Sequence, residues 1–194
     1  MMPTVSEPVA AVKAVFDACI SVHERMRDQD LRPVADAAAA ILDASRGGGK
    51  VLLFGNGGSA ADAQHMAADL VCRFQRERRA LAAVALTTDT SVMSAVANDY
   101  AFDRVFVRQI EALGSRGDIA FGISTSGQSA NVVEGLRAAS ARGLRTIAMT
   151  GRDGGTVGGE VDIHINVPDA STARVQEAHR TLIHAICELV EREL

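Results

Sequence analysis

The chain has 194 residues, 47% of them hydrophobic, and a net charge of −4. That length suits one α/β domain with a full core, and dispersed Lys and Arg under a negative net charge exclude the electrostatic footprint of a nucleic-acid binder. Polar and acidic residues precede the first apolar run, and no run approaches the ~18 residues of a membrane span. Neither signal peptide nor membrane anchor is expected, and the chain reads as cytoplasmic. Cys19, Cys72 and Cys187 stand far apart in apolar helical patterns and read as small core residues of a reduced protein.

Residues 8–28 place Val12, Val15, Phe16, Cys19, Ile20 and Val22 on one helical stripe. A second helix is predicted over 31–45, with Pro33 near its start and Gly47-Gly48-Gly49 ending it. His23, without an obvious partner, reads as structural or exposed. The chain is organised around 50–74, KVLLFGNGGSAADAQHMAADLVCRF. Its apolar residues 51–54 have the length of a strand buried on both faces. Gly55-Asn56-Gly57-Gly58 then allows a sharp turn and close approach to a ligand. Ser59 is a good N-cap for a helix predicted over 60–74, which carries His65 and Asp69 on one face. The basic cluster at 73–79 (RFQRERR) reads either as a solvated helix end favoured by the dipole or as a substrate or subunit contact.

Further strands are predicted at 81–86, 118–123, 144–150 and 162–167, and helices at about 101–113, 130–142 and 172–193. A helical segment that starts near Ser91 breaks at Asn98-Asp99-Tyr100, and the glycine-rich stretch 151–159 is a loop with room for one helical turn. His164 falls on the face of the alternating fifth strand and reads as structural. Strands separated by helical segments predict an α/β fold: a doubly wound five-stranded parallel sheet flanked by helices. It forms a single domain over 1–194, with N-terminal helices in 1–46. Ligands in such sheets sit beyond the carboxyl ends of the strands, here 55–59, 87–91, 124–129 and 151–155. These loops offer hydroxyls and glycine amides, which hold phosphate without needing a lysine. No GxxxxGK[ST] motif is present, and Gly55-x-Gly57 lacks the later glycine and ribose-binding acid of a dinucleotide site.

Two groups carry chemistry. His65 and Asp69, one turn apart, suit a divalent metal or a general acid and base. The last helix carries Gln176, His179 and His184, and His184, on a largely apolar face, taken alone reads as a satisfied core histidine.

The segments GNGGSAADAQH (55–65), ALTTDTS (85–91), ANDY (97–100), STSGQSANV (124–132), TGRDGG (150–155) and RVQEAHRTLIH (174–184) occur in the order and spacing of one family. The chain resembles the phosphoheptose isomerases (sedoheptulose 7-phosphate isomerases) of the sugar isomerase, or SIS, superfamily over nearly its whole length. The resemblance implies a cytoplasmic isomerase that makes D-glycero-D-manno-heptose 7-phosphate through a metal-assisted ene-diol, the first step of activated heptose biosynthesis. It implies substrate contacts at Asn56, Gly57, Gly58, Ser59, Arg73, Asn98, Asp99, Ser124, Thr125, Ser126, Ser129 and Gln176. The serine-threonine loop would hold the 7-phosphate. One zinc per subunit would be held by His65, Asp69, Gln176 and His184, and Asp69 and His184 would be the acid/base pair. It also implies a homo-oligomer, a tetramer by resemblance, with sites at subunit contacts and the N-terminal helices contributing to its packing.

One position departs: the family pattern carries Glu where this chain has Asp69. The shorter carboxylate would sit ~1 Å away, a misplacement that can cost ~100-fold in rate. Gln176 and His184 also lie ~12 Å apart along a regular helix, so either that helix starts irregularly or the two reach one site from different subunits. The residues leave other readings open: a non-catalytic relative that binds the bacterial replication initiator, a sugar-phosphate sensor, or an isomerase making another heptose 7-phosphate epimer.

Overall fold

The computed structural model describes residues 6–194; residues 1–5, at the start of the segment before the first apolar run, lie outside them. Two helices come first, α1 (Ser6–Arg27) and α2 (Arg32–Arg46), followed by β1 (Val51–Gly55), α3 (Gly58–Val71), β2 (Ala83–Ala85) and α4 (Thr90–Asp99). A 3-10 turn at Phe102–Arg104 runs into α5 (Val105–Leu113), and then come β3 (Ile119–Ser124), α6 (Ala130–Ala141), β4 (Arg145–Gly151), the short α7 (Gly155–Gly158), β5 (Ile163–Val167) and α8 (Thr172–Arg192). The strands are all parallel, in the order β2-β1-β3-β4-β5. Strand order reverses between β1 and β3, so the ligand crevice expected of such sheets lies between the loops that leave those two strands.

Period-two alternation divides the sheet's side chains between two cores. Val51, Leu53, Phe121 and Ile147 bury against α2, α3 and α8, whereas Leu52, Phe54, Ala120 and Ala148 bury against α5 and α6. α3 and α8 therefore lie side by side on one face, which positions their polar residues against each other. α1 rides outside this layer. His23 Nε2 pairs with Thr181 Oγ1 (2.9 Å) and Nδ1 with the Cys19 carbonyl (2.8 Å), so the structural reading of His23 gains its partner on α8.

Several local expectations change. β2 is an edge strand of only three residues; Leu81 and Leu86 are buried but lie outside the ladder. α3 stops at Val71 rather than continuing to 74, because the amides of Phe74, Gln75 and Arg76 donate to the Glu191 carboxylate instead of to carbonyls one turn back. Ser59 is not the N-cap. Gly57 takes that place at φ 56°, and Ser59 is buried inside the first turn. Nor are all three cysteines core residues: Cys72 caps the carboxyl end of α3 and is exposed, Cys19 is half-buried, and Cys187 alone is buried. Burial pushes the Cys187 thiol up to about 12, the behaviour of an inert core residue.

The basic cluster is likewise not a uniformly solvated helix end. Arg78, its side chain only 5% exposed, lies 3.3 Å from Glu191 and donates to the carbonyls of Asp69 and Leu70. His164 sits on the β5 face as expected, its Nε2 2.6 Å from Thr150 Oγ1.

Candidate active site

The glycine turn and the serine loop meet at the β1/β3 crossover. A Cβ at Gly55 would lie 2.8 Å from the Ile123 carbonyl oxygen and 2.9 Å from Ser59 Cβ, so the turn needs glycine to leave the sheet this tightly. Asn56 and Asn131 exchange side-chain amide hydrogen bonds, 2.8 Å in each direction, and lock the turn to the start of α6. In the serine loop, Ser124 Oγ lies 3.0 Å from Ser129 Oγ, and Ser126 Oγ accepts the Gln128 amide at 3.1 Å. Gly127 has φ 63°, and a Cβ there would overlap the Gly154 carbonyl. The crossover thus collects hydroxyls, side-chain amides and helix N-termini without a fixed charge, the donor set of a phosphate cradle.

A second cluster lies farther along α3, where it packs against α8. His65 Nε2 is 2.9 Å from His184 Nε2 and 3.4 Å from Asp69 Oδ2. One ligand atom from each of the three lies within 4.8 Å of the others. Asp69 Oδ2 is buried and has no hydrogen-bond partner. A buried carboxylate oxygen without a donor is costly, and it faces two imidazole nitrogens that are neutral ligands when deprotonated. Two imidazoles and a carboxylate at this spacing fit a divalent cation such as zinc. Burial first, and then the neighbouring His65, push the His184 imidazole below its ordinary value, which favours the neutral form. Phe74 stacks on His184 with ring centroids 5.2 Å apart and covers one side of the cluster. Despite its short side chain, Asp69 reaches both imidazoles.

Gln176 lies elsewhere in this chain. α8 is regular from Thr172, with no distorted start near Gln176. The Gln176 amide rests on Gly58, where a Cβ would overlap it. Gln176 therefore borders the glycine turn while His184, two turns on, joins His65 and Asp69. Arg73 stands beyond the far end of α3, 3.8 Å from Glu77, and Asn98 and Asp99 pair with each other at 2.8 Å on the exposed end of α4. Arg73 thus lies at the opposite end of α3 from the glycine turn.

Sequence reading did not single out Asn131, Asp62 or Arg180. Asn131 stands in the first turn of a helix that follows a serine loop, where a side chain able both to donate and to accept is a usable signal. Asp62 and Arg180 could only be paired once α3 and α8 were known to be neighbours; Arg180 Nε donates to Asp62 Oδ1 at 2.8 Å.

The SIS domain family matches residues 15–151. The phosphoheptose isomerase of Roseiflexus sp. (strain RS-1) is 51% identical over 179 residues, which cover 92% of this chain and 91% of that protein. That of Geobacter sulfurreducens is 56% identical over 161 residues, 83% of this chain and 85% of its own. The structure of the phosphoheptose isomerase GmhA from Neisseria gonorrhoeae superposes with a TM-score of 0.90 at 46% identity, covering 97% of this chain and 100% of that one. With the five-stranded parallel sheet, the glycine turn and the serine loop in place, the chain belongs to the phosphoheptose isomerase family of SIS-domain proteins.

Proposed function

We propose that this protein isomerises sedoheptulose 7-phosphate to D-glycero-D-manno-heptose 7-phosphate in the cytoplasm, the entry to activated heptose biosynthesis. The observation that carries the reading is the convergence of His65, Asp69 and His184, drawn from two helices, on the face that also carries the glycine turn.

Ketose-to-aldose conversion moves a proton between adjacent carbons through an ene-diol and needs a base, an acid and stabilisation of oxyanion charge. Asp69 takes the C1 proton, and His184 delivers a proton on the C2 side. His65, Asp69, Gln176 and His184 would hold zinc, which would polarise the carbonyl. Ser124, Thr125, Ser126 and Ser129 hold the 7-phosphate through hydroxyls and amides. Asn56, Gly57, Gly58 and Ser59 line the sugar, and Asn56 is pre-oriented for this by Asn131.

The separation of Gln176 from His184 along a regular α8 supports a site shared between copies, in which Gln176 reaches the cluster of a second chain. Arg73, Asn98 and Asp99 would add further substrate contacts. The exposed apolar stripe Val9, Val12, Val15, Phe16 and Ile20 on α1 supports the same homo-oligomer, for which we propose a tetramer. No helix among the described residues is long and apolar enough to cross a membrane.

Incubation of the purified protein with sedoheptulose 7-phosphate, with and without chelator, and with products read by NMR, tests the reading. Aldose formation that chelator abolishes and zinc restores is expected. No turnover with any added divalent ion would overturn it.

A further inference from the structure

β4 leaves the sheet at Gly151 directly into Arg152, whose φ of 55° makes it the one non-glycine residue with positive φ among the described residues. An L-residue pays for this conformation, and such costs persist where the surroundings over-determine the backbone, often at ligand sites. The main chain of Arg152 is held on both sides. Its amide donates to the Asp169 carbonyl (3.2 Å), and its own carbonyl accepts from Asn166 Nδ2 (3.1 Å).

The side chain, by contrast, is exposed and without an ion pair or hydrogen bond among the described residues. It borders a cavity of about 670 Å³ formed by the loops after β3, β4 and β5, with Ser126, Gln128, Asp153 and Asp169 also in its wall. Both acids there are already engaged. Asp169 takes the Arg25 guanidinium and the Ser171 amide, and Asp153 accepts the Gly155 amide. Arg152 is thus the uncommitted cation of this cavity, and the opposite wall is the serine loop itself. Hydroxyls and amides alone discriminate poorly between a phosphate ester and other small anions, whereas a guanidinium adds a charge-assisted, two-pronged contact matched to phosphate oxygens.

We propose that Arg152 is a specificity-determining residue of the sugar-phosphate site, its guanidinium closing over the serine loop to meet the phosphate of the ligand. The strained backbone at residue 152 is what aims the side chain there. This assignment rests on the proposed function, since that reading supplies the phosphate ester.

Arg152→Gly removes the guanidinium and relieves the backbone together, so thermal unfolding should not fall. Arg152→Lys keeps a charge but loses the fork. Titration with inorganic phosphate and with sedoheptulose 7-phosphate should show about tenfold or greater weakening for Arg152→Gly, with partial recovery in Arg152→Lys, and the kinetic loss should fall on KM rather than kcat. Undiminished phosphate affinity in a folded Arg152→Gly variant would overturn the proposal. A wild-type chain that binds inorganic phosphate but neither binds nor converts the ketose would overturn the functional reading instead, and the phosphate titration would still decide the role of Arg152.

Discussion

Arg180 on α8 lies 2.8 Å through Nε from Asp62 Oδ1 on α3, and the Asp62 side chain is only 4% exposed. Arg180 is one turn from both Gln176 and His184, and Asp62 about one turn from both Gly58 and His65. The two helices therefore meet in matched rungs, and this ion pair is the rung between the glycine turn and the histidine cluster. Arg180→Met keeps much of the apolar stem but leaves a nearly buried carboxylate without its cation, at a cost of about 1–3 kcal/mol. The melting temperature should fall by several degrees. The double variant with Asp62→Asn should recover part of that loss; strictly additive effects in the double-mutant cycle would mean the pair is not coupled.

The buried Asp69 Oδ2 has no hydrogen-bond donor, a cost that a bound cation would offset. Zinc at 100 times its dissociation constant should raise stability by about 2.7 kcal/mol, a rise of about 5–10 °C in Tm that EDTA reverses. Asp69→Asn should lose most of that increment and at least about 100-fold in turnover, while Asp69→Glu should retain both. Melts with and without zinc check this, and a full zinc increment in Asp69→Asn would remove Asp69 from the ligand set.

Acid should destabilise the fold in two separate windows. His179 is fully buried, and burial pushes its imidazole below the ordinary value although Nε2 donates to the Thr150 carbonyl at 2.9 Å. The unfolded chain binds a proton below about pH 6.5 that the folded chain refuses, so stability falls as pH drops through that range. Glu191 behaves oppositely in charge but alike in direction. Burial raises its carboxyl, but the amides of Gln75, Phe74 and Arg76, with Arg78, outweigh it and hold it below the usual range. Its contribution is present above about pH 4.3 and disappears as pH falls through the depressed value. Urea unfolding at pH 7.5, 5.5 and 4 should show that His179→Gln flattens the upper window. Glu191→Gln should cost about 1–3 kcal/mol at neutral pH, with the difference from wild type shrinking in acid. Parallel pH profiles for all three proteins would refute both assignments.

The outer face of α1 should govern assembly. Phe16 and Ile20 are 65% and 55% exposed in the single chain, and exposed apolar stripes of this kind mark protein contacts. A Phe16→Asp, Ile20→Asp double variant should sediment as a smaller species with unchanged far-UV dichroism. It should also lose zinc-dependent turnover, because Gln176 would no longer meet a second chain's cluster. Wild-type mass in sedimentation would place the interface elsewhere.

Sequence alone determined the strand, glycine turn and helix start at 51–60, the parallel α/β architecture and the serine loop, because buried apolar runs and glycine turns are local consequences of packing and backbone sterics. Helical spacing picked out His65 and Asp69, the resemblance added His184, and the fold brings those three together. Only the tertiary structure decided that α3 ends at Val71, since the Glu191 carboxylate that captures the next amides lies more than a hundred residues away. It likewise decided that Asn131 orients Asn56, that Asp62 meets Arg180, and that Gln176 rests on Gly58 away from His184. Each of these depends on which helices share a face of the sheet, a fact carried by the strand order and by no local stretch of the chain.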